Sequence, residues 1–164
     1  MKKAKAFLAV VLVLVFALFA VGSGEDGAVN QGDGSAQGGS VSDNRLGDYS
    51  VVIDSCRLAK DYEGKDIVIV KYKFTNEADD DAAAFTFAIN DTVYQAGVGL
   101  NESYFVADSA NYDSANQTKE IKKGASLDVE VAYVLNDTTT PIEVEVTELI
   151  SFSDKSITKT FTIA

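Results

Sequence analysis

The tetrapeptide Asp-Ser-Ala-Asn occurs twice around a tyrosine, in DSANYDSAN at residues 108–116. Asp108, Asn111, Asp113 and Asn116 place four side-chain oxygens in one short stretch, and hard oxygen donors of this kind are what calcium takes. The spacing matches no EF-hand loop, and Asx residues also build ordinary turns by accepting backbone N–H groups. The stretch therefore supports a calcium site and plain turn chemistry alike. Tyr94, Tyr104, Phe105 and Tyr112 lie in and before it and form a candidate binding face, since such rings give large contact area at low entropic cost. They could equally be buried by a loop folding over an open end of the domain. Between two apolar runs, NEADDDAA (76–83) gathers Glu77, Asp79, Asp80 and Asp81, a set that could share a divalent ion or blunt a sheet edge against pairing.

Residues for catalysis are sparse. The chain has no histidine, which removes the usual general base and the commonest zinc or copper ligand. Cys56 is the only cysteine and sits in a strand-like run, where a thiol behaves as a small apolar group. No glycine-rich loop follows a strand and opens a helix. A lysine or carboxylate mechanism is the one catalytic route left open, and the chain is read as a non-enzyme without a cofactor.

The elements that must position these residues have period two. YSVVIDSCRLA (49–59) and DIVIVKYKFTN (66–76) flank KDYEGK, a glycine-containing turn, which is a hairpin signal. In the second run Val68, Val70, Tyr72 and Phe74 share one face, opposite Lys71, Lys73 and Thr75. AAFTFAIN (83–90) alternates through Phe85, Phe87 and Ile89 and is read as a strand. ASLDVEVAYVL (125–135), PIEVEVTEL (141–149) and SITKTFTIA (156–164) repeat the pattern. Six strands with one apolar face each predict two antiparallel sheets packed face to face, an all-β immunoglobulin-like sandwich over residues 46–164. Residues 90–119 are the exception, with a short strand at most in VYQAG (93–97). A connection this long is usually functional or disordered, and its aromatics argue against disorder. Asn90, Asn101, Asn116 and Asn136 each open an Asn-X-Ser/Thr triplet and are read as turn formers.

The N-terminus is read as an export signal over 1–23: three lysines, an apolar run from Ala6 to Val21, and small residues with cleavage beside Gly22 or Ser23. An uncleaved anchor is the alternative, and membrane contact would then run through this segment alone. Residues 24–45 are rich in Gly, Ser and Asp and too poor in apolar groups to order themselves, so they are read as a flexible linker. Both readings place the domain outside the cell. Loss of Lys2, Lys3 and Lys5 with the signal deepens the net charge from −11 to about −14, which repels phosphate backbones and excludes nucleic acid. With no second cysteine to make a disulfide, the domain must rest on its core, and about 120 residues can bury enough surface for that.

KDYEGKDIVIVKYKFTN, FTFAINDTVYQAGVGL and YDSANQTKEIKKGASLDVEVAYVLNDTTTPIEVEVTEL together resemble an uncharacterised domain family of exported proteins and lipoproteins of Gram-positive bacteria. That family is similar in turn to telokin-like, immunoglobulin-like extracellular domains. The resemblance covers nearly all of 47–164, and EIKKGASLDVEVAY is its most specific part. It implies a fold and an extracellular or cell-surface location, and no catalytic residues. Two departures stand out. Lys123 precedes the turn glycine where the family often has proline. Ser23, in AVGS (20–23), stands where a lipobox would carry the cysteine that takes the lipid. The reading is a monomeric, exported interaction module whose partner is an unknown protein or envelope component. The alternative is a small-ligand or calcium-binding domain.

Overall fold

The computed structural model describes residues 43–79 and 81–163. The signal reading, with Gly22 and Ser23, and most of the linker reading lie outside them, as does Asp80. The period-two runs form β1 (Arg45–Leu46), β2 (Tyr49–Lys60), β3 (Asp66–Asn76), β4 (Ile89–Gln95), β5 (Val98–Gly99), β6 (Ser126–Val134), β7 (Ile142–Glu148) and β8 (Ser156–Phe161), with one α-helical turn, α1 (Phe85–Ala88), and two short 3₁₀ turns, Asp108–Ala110 and Ala115–Thr118. One sheet has the order β1-β2-β3-β6 and the other β5-β4-β7-β8, and every pairing is antiparallel. With β2, β3 and β6 read as A, B and E, and β5, β4, β7 and β8 as C′, C, F and G, this is the immunoglobulin order.

The alternation decides what is inside. Val68, Val70, Tyr72 and Phe74 of β3, Val129, Val131 and Tyr133 of β6, and Ile142, Val144 and Val146 of β7 meet in the core between the sheets. Phe85 stacks there on Tyr72 at 5.2 Å and meets Phe74 edge-on at 5.8 Å. Outside the sandwich, Ile67, Ile69 and Ala132 form a second buried cluster with Val106. The first four apolar residues of β3 are thus covered on both sides, and the covering layer is the long connection after β5.

One strand reading is corrected. AAFTFAIN is not a strand through Phe85 and Phe87: residues 85–88 make a helical turn, and β4 begins at Ile89. A helical turn brings i and i+3 to one side, so Phe85 and Ala88 go into the core while Phe87 is 72% exposed. β4 spans Ile89–Gln95, so it starts earlier and is longer than the short strand expected around 93–97, with Ala96 and Gly97 forming the turn after it.

The β4–β5 hairpin turns on Ala96 and Gly97, with φ of +51° and +77°. Two consecutive left-handed residues define the type I′ turn, which favours Asn-Gly; an L-residue with a full Cβ pays roughly 1 kcal/mol in this region. Ala96→Asn should therefore stabilise the domain by about 0.5 kcal/mol, read as a higher urea midpoint at unchanged slope.

A bulge between Ile53 and Ser55 interrupts the β2–β3 register. It turns the carbonyls of Ile53 and Asp54 toward β8, where the Lys159 ammonium donates to both at 2.9 and 2.7 Å. A lysine thus closes the side of the sandwich where β2 and β8 face each other, a charged guard against edge pairing.

Candidate functional site

After β5 the chain runs along the free edge of β6. The Ser103 N–H donates to the Ala132 carbonyl at 2.7 Å, and the Val134 N–H to Asn101 at 2.9 Å. It then crosses to the β2–β3 turn, where the Tyr62 N–H donates to the Phe105 carbonyl at 3.0 Å and the Ala107 N–H to Lys60 at 3.1 Å. Ser103 and Val106 are buried as anchors, which forces the two residues between them outward. Tyr104 and Phe105 are 78% and 73% exposed.

The turn opposite is equally fixed. The Asp61 carboxylate, buried, accepts the N–H groups of Glu63 and Lys65 at 2.9 and 2.8 Å, and Gly64 supplies the positive φ. Tyr62 is thereby presented beside Tyr104 and Phe105. The three rings, with Glu63, Lys65 and Glu102, line an open cleft of 430 Å³. The Tyr62 hydroxyl donates to the Asp108 carboxylate, and that bond holds its phenol pKa above the ordinary value. Glu102 does the same to Tyr104. Rigid aromatic surface rimmed by carboxylates, in a chain without histidine, is suited to binding.

The candidate aromatic face is therefore partly assembled. Tyr104 and Phe105 belong to the cleft. Tyr112 is half-buried beneath the same connection, packed on the Ile67–Ile69 cluster, and its hydroxyl accepts the Gln117 amide at 2.8 Å. Tyr94 is set apart: Val93 and Gln95 point inward, so Tyr94 lies on the outer face of the other sheet, paired with Gly99 and Glu143. Tyr62 completes the cleft and was missed in the sequence, where it reads as part of a turn. Its one available signal was a bulky aromatic between turn residues.

The four Asx residues divide. Asn111, Asp113 and Asn116 line a shallow depression of 240 Å³ with Asp128 and Glu130, while Asp108 serves Tyr62. Each has turn or bridging work: Asn111 adopts φ +48°, Asp113 accepts the Ala115 N–H at 3.0 Å, and Asn116 donates to the Asp128 carbonyl at 3.1 Å. The depression also holds its own cations. Lys71 Nζ is 2.9 Å from Asp128, and the Arg57 guanidinium grips Glu130 and reaches the Ala110 and Asn111 carbonyls at 3.3 Å. Arg57 holds the Glu130 carboxyl below the usual carboxylate range. In the other acidic stretch Glu77 pairs with Arg45 at 2.6 Å and Asp79 with Lys123. Among the described residues no group of three or more Asp, Glu, Cys or His stands close enough to hold a metal ion. The Cys56 thiol is partly buried against the core, and burial pushes its pKa up, away from the reactive thiolate.

An immunoglobulin-type β-sandwich bearing a loop-built aromatic cleft is the class of domain these features define. The chain belongs to the family described as Domain of unknown function (DUF5067), whose pattern matches residues 35–148. Lys122 to Ala125 form a turn around Gly124, with φ +78°.

Solved structures share the fold. A candidate lipoprotein from Staphylococcus aureus superposes with a TM-score of 0.55 at 21% identity, over 71% of this chain and 84% of that one. A protein from Enterococcus faecalis gives 0.52 at 19%, over 73% and 88%. A candidate lipoprotein from Bacillus subtilis gives 0.52 at 16%, over 74% of this chain and 38% of the other. Among curated proteins none matches the chain.

Proposed function

We propose that the chain is an exported, non-enzymatic interaction module of the cell surface or secreted space, and that the Tyr62–Tyr104–Phe105 cleft is its binding face. The observation that carries this reading is the pair of exposed rings held between two buried anchors. Exposing them leaves unburied apolar area that could have stabilised the fold, and the hydrogen bonds to β6 and the β2–β3 turn hold them rigidly, so little ordering entropy is lost on binding. The apolar signal-like N-terminus and the lipoprotein names of two structural neighbours support export. Ser23 in the lipobox position favours release or a retained signal over a lipid anchor. Among the described residues no helix is long and apolar enough to cross a membrane.

The partner is a protein or an envelope component that presents an apolar surface with cationic groups at its rim, complementary to the carboxylates. Co-sedimentation of the full chain with washed Gram-positive envelopes tests the reading. Replacing Tyr104 and Phe105 together by Ala should weaken retention about thirtyfold, the loss of roughly 2 kcal/mol expected at the centre of an interface, with the melting temperature unchanged. Equal retention of the wild-type chain and the double variant would contradict the reading.

A further inference from the structure

Ile89, Asp91, Val93 and Gln95 share the inward face of β4. Three of them are buried in ordinary ways, by apolar packing or by a complete set of hydrogen bonds. Asp91 differs: it places a carboxylate on a core-facing position, where an ion without a counter-charge costs several kcal/mol. Tyr133, buried in the opposite sheet, donates its hydroxyl to that carboxylate. The Tyr72 hydroxyl is fully buried beside the same pair, and burial raises its pKa well above the ordinary value. Burial raises the pKa of Asp91, against the bond from Tyr133.

A cleft of 180 Å³ opens from this floor to the surface. Glu102 stands on its wall, with Asn90 and Gln117 adding polar groups, while Phe85, Ile89 and Leu149 supply apolar surface. Among the described residues no lysine or arginine forms an ion pair with Asp91 or Glu102. The other two acidic groups described above, around Asp128 and Glu130 and around Glu77 and Asp79, hold their own cations.

We propose that this cleft binds a primary ammonium group on an apolar stem, with Asp91 and Glu102 as its carboxylate partners and Leu149 against the methylenes. The ammonium has three donors and needs acceptors on several sides; Asp91 and Glu102 provide them, with the side-chain carbonyls of Asn90 and Gln117 on the same walls. The volume equals about six liquid waters, which suits a short alkyl stem. A metal ion fits less well, because only two carboxylates line the cleft. The group could come from a lysine side chain of a partner or from a free alkyl diamine. The site adjoins the aromatic cleft through Glu102, which lines both, but Tyr62 and Phe105 do not line it and Asp91 does not line the other.

The test is an amide ¹⁵N–¹H titration of the full chain with cadaverine and, in a second arm, with Nα-acetyl-lysine methylamide; pentanol is the neutral control. Saturable shifts at Asp91, Glu102 and Gln117 with an affinity of about 1 mM or tighter are expected from an amine. Glu102→Gln, on an exposed residue, should weaken binding about tenfold, and Asp91→Asn should weaken it further. Tighter binding of the lysine derivative identifies a partner's side chain as the source, and tighter binding of cadaverine identifies a free diamine. Absence of saturable shifts in both arms, equal shifts with pentanol, or unchanged affinity in Glu102→Gln would overturn the proposal. Envelope retention unchanged in Asp91→Asn while amine binding is lost would separate this site from the aromatic cleft, which Asp91 does not line.

Discussion

Phe85→Ala should destabilise the domain by about 4 kcal/mol, whereas Phe87→Ala should change it by less than about 0.5 kcal/mol. Phe85 is 2% exposed and touches Tyr72 and Phe74, while its neighbour two residues on is 72% exposed. Truncating the first opens a cavity bounded by two aromatic rings that cannot collapse into it. Truncating the second removes a ring already in water. A strand through 83–90 would make the two substitutions equally damaging, so the pair of urea midpoints distinguishes a helical turn from a strand at this point. Loss of Phe85 also removes a wall of the Asp91 cleft, so partial unfolding should begin there.

Gln95→Ala is the second large effect, about 3 kcal/mol. Its buried amide donates to the carbonyls of Asp137 and Thr140, both at 2.9 Å, and its oxygen accepts the N–H groups of Asn136 and Asp137 at 2.9 and 3.3 Å. One side chain thus satisfies four backbone groups of the β6–β7 connection. Removing it strands them, and water reaches them only if the connection lifts away. Gln95→Glu should be at least as harmful at neutral pH, since a carboxylate would face two carbonyl oxygens, and should recover in part on acidification. Thermal melting at two pH values separates these outcomes; a Glu variant as stable as wild type at neutral pH would show that the connection is not held this way.

The same connection holds a carboxyl well below its ordinary pKa. Asp137 accepts the N–H groups of Thr140 and Thr139 at 2.6 and 2.8 Å and both of their hydroxyls, and those bonds lower its pKa from 3.8 to about 2. Because the folded value is depressed, the stabilisation is fully present above 3.8 and is lost as pH falls through about 2. A carboxyl-carbon titration by NMR should place the Asp137 midpoint near 2; a midpoint near the ordinary value would mean that the turn is open in solution.

Strand identity was legible wherever one face met the core and the other met water, as in Val144 and Val146 against Glu143 and Glu145. It was not legible at 83–90, because Phe85, Phe87 and Ile89 satisfy alternation while Phe85 and Ala88 satisfy a helical turn, and four residues cannot tell the periods apart. The covering of the outer sheet face left a trace that alternation alone passes over. Ile67, Val68, Ile69 and Val70 are apolar without a break, the pattern of a strand buried on both faces, and Ile67 and Ile69 are what the 101–112 connection packs upon. Of the aromatic face, Tyr104 and Phe105 were legible from their place in a long connection. Tyr94 and Tyr62 were not, because which sheet face or turn a ring occupies depends on pairings far away in sequence.

The binding face can be tested residue by residue with hydroxyl-radical footprinting of the full chain, free and with washed Gram-positive envelopes. Protection confined to Tyr62, Tyr104 and Phe105, with Tyr94 and Phe152 oxidised equally in both samples, is the result expected here. Equal oxidation of the three cleft rings with and without envelopes, or protection centred instead on Phe87, Ile150 and Phe152, would contradict it.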